Sequence, residues 1–414
     1  MLLISIAWRS LWRNRRRSFL VIAAITFAAS LTMIKMNVDN GTISEAIGEA
    51  ARLSTGFIQI QKPGYVDNPT LQKSFVFSPE LKRLIDRNFL IKGSSARIQA
   101  DGLLSYKDHS MGVMIMGISP GSEKTITDFE NKISEGHFLA SNADQGNGVP
   151  EIVLGYRLLQ NLKARIGDSV VVLCQGFDGV LGNMFARIAG TYKTGSDEFD
   201  RMGAFMTVTD LQPFLSMNYR VNAVAISVGN MDDAPEVTAE LNSGLKSSGL
   251  VAVPWQILMP QMDQTMKFKH SGDIVFMIIL LVVVGFGILN AVLMSVTERF
   301  REYGVVLSLG MRQEKLAVTV AVEIFFMIVI GILAGNLVGI GISYYILVHP
   351  IVVGGNLAKI YEQYGFNVPV ITSTVSAATS ILASSTILII SFFSTFYPLW
   401  RVLRLEPLKG IRYT

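Results

Sequence analysis

Residues 297–315 read TERFREYGVVLSLGMRQEK. Glu298, Arg299, Arg301 and Glu302 fall within five positions, and long apolar runs, 274–297 and 316–348, lie on either side. The first of these runs carries no charged residue over 24 positions. At about 1.5 Å rise per residue it extends roughly 36 Å as a helix, enough to cross a hydrocarbon core of about 30 Å. A charged segment between two such runs has to lie at a membrane surface, because its charges cannot follow the flanks into lipid. A short helix is expected there, presenting both signs of charge to a soluble partner while Val305, Val306 and Leu309 face lipid or the bundle. Gly304 and Gly310 allow the close approach or turn that such a surface helix needs. The alternative is that these charges only cap the spans and snorkel at the interface.

Composition agrees with a membrane chain. Half of the 414 residues are hydrophobic and 16% are charged, a balance typical of membrane proteins. The net charge of +4 is small, and the basic residues gather in short flanks of apolar runs instead of forming a face interleaved with aromatics, which argues against nucleic-acid binding. Cys174 is the one cysteine, so neither an intrachain disulfide nor a cysteine cluster for metal can form.

Working outward, residues 1–17 place Trp8 and Trp12 among apolar residues at helical spacing, followed by Arg13, Arg15, Arg16 and Arg17. That pattern describes a helix lying in the headgroup layer; the n-region of a signal peptide is the alternative, although 18–34 is long for its apolar core. A first span is read at 18–38. Between 39 and 273 the chain becomes polar and mixed, with strand signals at 57–61, 111–118, 169–173, 186–192, 204–208 and 221–228. Helix signals fall at 79–88, 156–162, 210–217 and 234–247. With over 200 residues, this inserted segment can bury a core of its own. The remaining divisions are spans at 274–297, 316–348 and 368–400, a charged segment at 298–315, a loop at 349–367 and a tail at 401–414.

Lys and Arg are concentrated in the N-terminal flank, the 298–315 segment and the tail, whereas 349–367 has only Lys359. The positive-inside rule then puts both termini and the charged segment in the cytoplasm and the 39–273 domain outside. The fold class expected is a membrane protein of four transmembrane α-helices plus an N-terminal interfacial helix, with a large α+β extracytoplasmic domain between the first two spans. Glu323 lies inside the third span, where a charge costs about 2.5–3.5 kcal/mol unless it faces the bundle or the helix N-terminus; a structural bundle role is expected for it rather than proton transfer. Gly331, Gly335 and Gly339 have the small-x-x-x-small spacing suited to close helix packing.

Signatures of catalysis are absent from the sequence. Nothing fits G-x-x-x-x-G-K-[ST], whose amides and lysine would cradle phosphates, nor H-E-x-x-H or G-x-S-x-G. His109, His137, His270 and His349 are scattered without ligand spacing.

The stretch ERFREYGVVLSLG resembles the signature E-R-x-R-E-I-G-I-L-R-A-L-G of the FtsX, MacB and LolC/LolE superfamily of ABC transporter permeases. Glu298, Arg299, Arg301, Glu302, Gly304, Leu309 and Gly310 match it, while Tyr303, Leu307 and Ser308 depart from it. The opening WRSLWRNRRRSFL and the close YPLWRVLRLEPLKGIR are similar to the family's two ends. Thr194, Gly195, Glu198, Phe199 and Asp200 resemble the T-G-x-x-E-Y-D run of the lipoprotein-releasing permeases. The resemblance implies a non-catalytic subunit of the bacterial inner membrane, working with a second permease copy or homologous permease. A separate ABC ATPase dimer would bind the ATP and Mg, so no cofactor is expected in this chain. It also implies that the matched residues of 298–310 couple to the ATPase, and that motion, not a channel, does the work. The substrate expected is a lipoprotein extracted from membrane lipid and passed to a periplasmic carrier, its acyl chains held between Phe19 to Met36 and Ile274 to Leu293. Residues 174–187 stand where such permeases carry a proline-bearing loop that meets the carrier; this sequence has no proline there, and a plain glycine-rich hairpin is the other reading. A MacB-like efflux permease and an FtsX-like regulator of a cell-wall hydrolase are the alternatives.

Overall fold

A computed structural model of the chain describes residues 8–9, 11–13, 15–53, 55–140, 148–352, 354 and 370–404. Helices of more than one turn are α1 (Arg15–Leu53), α2 (Pro79–Asp86), α3 (Tyr156–Leu162), α4 (Asp197–Met202), α5 (Val208–Phe214), α6 (Ala234–Leu245), α7 (Pro260–Thr297), α8 (Phe300–Ser308), α9 (Gln313–Val348) and α10 (Ala377–Leu403). The chain divides into two compact units, one of residues 1–43, 266–351 and 370–414, the other of 44–265 and 352–369. Most of the expected 349–367 loop, much of the 1–17 helix and the tail beyond 404 lie outside the described residues.

The first unit is helical. Among the described residues four helices, α1, α7, α9 and α10, are long and apolar enough to cross a membrane. Two of them run past the apolar stretches that announce them. α1 continues from 39 to Leu53 through good helix formers such as Glu45, Ala46, Glu49 and Ala50, and α7 starts at Pro260, a residue pre-organised for a first helical turn.

α1 and α9 pack closely along a stripe of glycines. A Cβ added at Gly331 would come within 2.7 Å of Ile25 Cγ2, at Gly335 within 2.5 Å of Ala29 Cβ, and at Gly339 within 2.9 Å of Met33 Sδ. In lipid, where burying apolar surface gives no advantage over contact with acyl chains, such backbone approach and interhelical hydrogen bonds hold helices together. Those bonds run from Thr26 Oγ1 to the Gly331 carbonyl at 3.3 Å and from Asn37 Nδ2 to Ser343 Oγ at 3.0 Å. Asn336 Nδ2 reaches Ser384 Oγ of α10 at 2.8 Å, and Ser394 Oγ of α10 donates to the Gly285 carbonyl of α7 at 3.0 Å.

The second unit is α+β, built on a ten-stranded mixed sheet. Its strands are β1 (Ile58–Gln61), β2 (Phe75–Val76), β3 (Ile91–Tyr106), β4 (His109–Ile118), β5 (Ile133–Gly136), β6 (Glu151–Gly155), β7 (Ser169–Gln175), β8 (Leu181–Tyr192), β9 (Gly203–Thr207), β10 (Arg220–Val221), β11 (Ala223–Val228) and β12 (Val251–Pro254), with β2 and β10 forming a separate pair. The order β12-β1-β11-β3-β4-β9-β6-β8-β5, with β7 joining β3 to β8, is organised by β3. Its first half pairs with β11, its second with β4 and β7. Gly102 is required at the β3–β7 crossing, since a Cβ there would meet the Leu173 carbonyl at 2.5 Å and the Cys174 sulfur. Phe129 meets Tyr192 of β8 edge-on and Phe205 of β9 at a tilt, and the three rings form part of the core.

Residues 176–180 are a tight turn between β7 and β8. The Gly176 amide donates to the Val180 carbonyl at 2.8 Å, Asp178 Oδ1 accepts from the Val180 amide at 3.0 Å, and Gly179 takes φ +79°. The glycine-rich hairpin reading therefore describes this segment, and the strand begins at Leu181, earlier than the 186–192 signal indicates.

Candidate coupling site

After α7 ends at Thr297 the chain turns through Glu298 and Arg299 into α8. Phe300, Tyr303, Gly304 and Leu307 recur at helical spacing and are buried, so this stripe fixes α8 against the bundle. The opposite side is exposed and carries Arg301, Glu302, Val305, Ser308 and Leu309. Val305 and Leu309 thus do not supply the bundle contact; the neighbouring stripe does. α8 is closed by two bonds, Gly310 amide to Leu307 carbonyl at 3.0 Å and Met311 amide to Val306 carbonyl at 3.4 Å, with Gly310 at φ +94°. That is the double-bonded helix end that glycine favours, since the left-handed conformation strains residues with a Cβ. α9 then begins at Gln313.

The charges do not all point outward. Arg299, expected to face a partner, is only 7% exposed, and its Nη1 donates to both carboxylate oxygens of Glu323 at 2.7 and 2.8 Å. The physical reason is Glu323 itself. It stands ten positions into α9, beyond the first turn where the helix dipole is felt, and its buried carboxylate needs a cation. The guanidinium of Arg299 also lies 5.1 Å over the Tyr303 ring and 3.4 Å from Glu302 Oε2. Glu302 in turn accepts from Arg13 Nη2 at 3.2 Å. Arg13, Glu302, Arg299 and Glu323 therefore form a chain of alternating charge that ties the N-terminal segment and α8 to the interior of α9. Glu298, Arg301, Glu302, Leu309 and Gly310 remain on the exposed side.

At the other end of the same unit Lys35 of α1 pairs with Asp39 and, at 3.2 Å, with Asp273 of α7, its ammonium 5.2 Å over the Phe276 ring. Sequence reasoning did not single out this clasp; the lysine and aspartate closing one span and the aspartate opening the next were its signal. Of the two faces expected to hold acyl chains, Phe19, Leu20 and Phe27 of α1 and Ile274, Val275, Ile278, Ile279 and Val282 of α7 are exposed, whereas Val21, Ile25, Ala29 and Met33 are taken up by packing.

In the second unit the conspicuous polar groups serve structure. Asp200 accepts from the Thr194 amide and hydroxyl at 2.8 and 2.9 Å and from the Gly195 amide at 3.1 Å, so the T-G-x-x-E-Y-D-like run is a loop clasp. Buried Arg97 and Glu123 pair at 2.5 Å, with Ser95 and Thr127 donating to the same carboxylate. Burial pushes the Tyr192 hydroxyl up from its usual range, aided by the nearby Asp200 charge. Among the described residues no group of His, Cys, Asp and Glu is arranged to hold a metal.

Residues 18–243 match the MacB-like periplasmic core domain and residues 274–407 match the FtsX-like permease C-terminal. The chain belongs to this family: it is an ABC transporter permease of the LolC, FtsX and MacB type. It is similar to the lipoprotein-releasing system transmembrane protein LolC of Neisseria meningitidis, 22% identical over 413 residues, with 97% of this chain and 96% of that one covered. LolC of Xylella fastidiosa is 23% identical over 78% of each chain. The pyoverdine export ATP-binding/permease protein PvdT of Pseudomonas fluorescens is 23% identical, over 99% of this chain and 59% of its own length. Among solved structures, the periplasmic region of MacB from Actinobacillus actinomycetemcomitans is 14% identical with a TM-score of 0.34, covering 51% of this chain and 92% of its own.

Proposed function

We propose that the chain is the mechanical subunit of a lipoprotein-releasing transporter, a bacterial inner-membrane permease whose second unit lies outside the cytoplasm. A separate ABC ATPase dimer, binding ATP and Mg, pushes on α8, and a second permease completes the assembly. The observation that carries the coupling role is the Arg299–Glu323 pair. A force applied to the exposed side of α8, at Glu298, Arg301, Glu302, Leu309 and Gly310, passes through a buried, charge-assisted contact, one guanidinium nitrogen on both carboxylate oxygens, into α9 instead of dissipating in a loose loop. α9 is in turn locked to α1 by the glycine stripe. α1 and α7 each run without a break from one unit into the other, which gives the motion a path to the outer unit, where a carrier would receive the released lipoprotein. The lipoprotein itself rests on the LolC likeness, which extends over nearly the whole of both chains.

The test is depletion of the chain in its own host, followed by fractionation. Mature lipoproteins held in the inner membrane support the reading, and normal outer-membrane sorting counts against it. In the purified complex, charge reversal of Glu298 and Glu302 together is expected to abolish substrate-stimulated ATPase activity; unchanged stimulation would remove the coupling role. The similarity to PvdT favours a second reading, export of a small secreted molecule. Copurified siderophore-like substrate in place of lipoprotein would select it.

A further inference from the structure

The surface between α9 and α10, at the end of the bundle nearest α8, carries an apolar groove that neither the coupling site nor the α1 and α7 faces use. It has a volume of about 630 Å³, and Val318, Ala321, Phe325, Phe392 and Phe393 are among the residues that line it. A second hollow of about 350 Å³ shares Val318, Ala321, Phe396 and Leu399 with it and continues to the helix ends at Glu314, Trp400 and Leu403. The groove exists because small Ala317 and Ala321 of α9 stand opposite a row of large aromatics on α10. Its volume lies within the range of specific ligand sites, and the lining is almost wholly carbon.

We propose that this groove binds an aminophospholipid of the phosphatidylethanolamine class, from the leaflet on the coupling side. One acyl chain lies between α9 and α10, the phosphate sits on Arg404 and the ammonium on Glu314. The mouth selects the headgroup. Glu314 lines it with a carboxylate, and the Arg404 guanidinium is held 4.2 Å over the Trp400 ring, which also lines it. Among the described residues neither Glu314 nor Arg404 has an ion-pair partner. Tryptophan and arginine at a helix end mark the headgroup level. A carboxylate lining the hollow and a guanidinium held on the tryptophan that also lines it match a zwitterion carrying both an anionic phosphate and a hydrogen-bonding ammonium. A purely anionic headgroup would meet repulsion from Glu314, and a quaternary ammonium has no proton to donate to it. The inference does not depend on which substrate is transported.

Native mass spectrometry of the full chain in detergent, offered phosphatidylethanolamine, phosphatidylglycerol and phosphatidylcholine with the same acyl chains, tests it. The ethanolamine lipid should be retained about tenfold more than either of the others, a margin of about 1.4 kcal/mol. E314Q should lose that preference, R404Q should weaken retention of all three, and A321F should displace the lipid. Equal retention, preference for the glycerol lipid, an E314Q profile like that of the unmodified chain, or a protein dimer in which A321F releases a second copy instead of lipid would each overturn the proposal. E314D provides a readable comparison if the groove-filling variant does not fold.

Discussion

Arg299 and Glu323 make a buried ion pair, and such pairs have asymmetric energetics. Removing one partner leaves an uncompensated buried charge, at a cost of about 3–5 kcal/mol, whereas replacing both with apolar groups of similar size is often neutral. R299A or E323A should therefore lower the thermal midpoint of the purified chain markedly, while R299M/E323L should recover most of it. If the pair transmits force, the double variant stays folded but loses ATPase stimulation; retained stimulation would show the contact to be structural only. Glu323 was legible in the sequence as a bundle residue, because an isolated carboxylate in an apolar run has to face inward. Its partner was not, because Arg299 sits among three other charges and only the α8 stripe decides which of them turns in. Cys174 gives a second residue-scale prediction. Burial on β7 pushes its thiol up to about 11 from 9.0, with the Asp101 charge adding to the shift. The native thiol should resist maleimide at neutral pH and react once the chain is unfolded. Because the folded value is raised, this contribution is complete below pH 9 and is lost between pH 9 and 11, on the order of 2 kcal/mol; C174A should lack that part of the alkaline slope.

At the scale of elements, the α1–α9 contact rests on missing side chains. G335L places a bulky side chain against Ala29, where even a Cβ has no room, and should separate the helices, visible as a lower thermal midpoint and lost activity. G341A, at a position with nothing within 4 Å of an added Cβ, should leave both unchanged. Equal effects would mean that the stripe is not the contact. The spacing of Gly331, Gly335 and Gly339 made this face readable in advance, as the long uncharged apolar runs did for the spans and the alternation of Ile58 and Ile60 did for β1. β3 was not readable. IKGSSARIQADGLLSY has neither alternation nor a β-branched run, because its two halves pair with different strands and its glycines answer to close neighbours, Gly93 to the Thr125 side chain and Gly102 to the Leu173 carbonyl and the Cys174 sulfur. β6 and β12 were missed for a related reason: they are short, and their burial is set by neighbours distant in sequence.

At the scale of the molecule, an apolar bundle and a polar α+β unit are drawn from one chain, with the charged segment 298–315 at one end of the bundle. The division was legible because a span of about 20 apolar residues has few alternative explanations. Headgroup recognition by Glu314 and Arg404 was not, since it depends on two helix ends ninety positions apart in sequence. The account requires the charged segment and the α+β unit to lie on opposite sides of the membrane. In a C174A background, single cysteines at Gly148 and at Leu309 can be probed with a membrane-impermeant maleimide in intact spheroplasts. The account predicts labelling at position 148 from outside and at position 309 only after permeabilisation; a cysteine at 148 that labels only from the cytosol would contradict it.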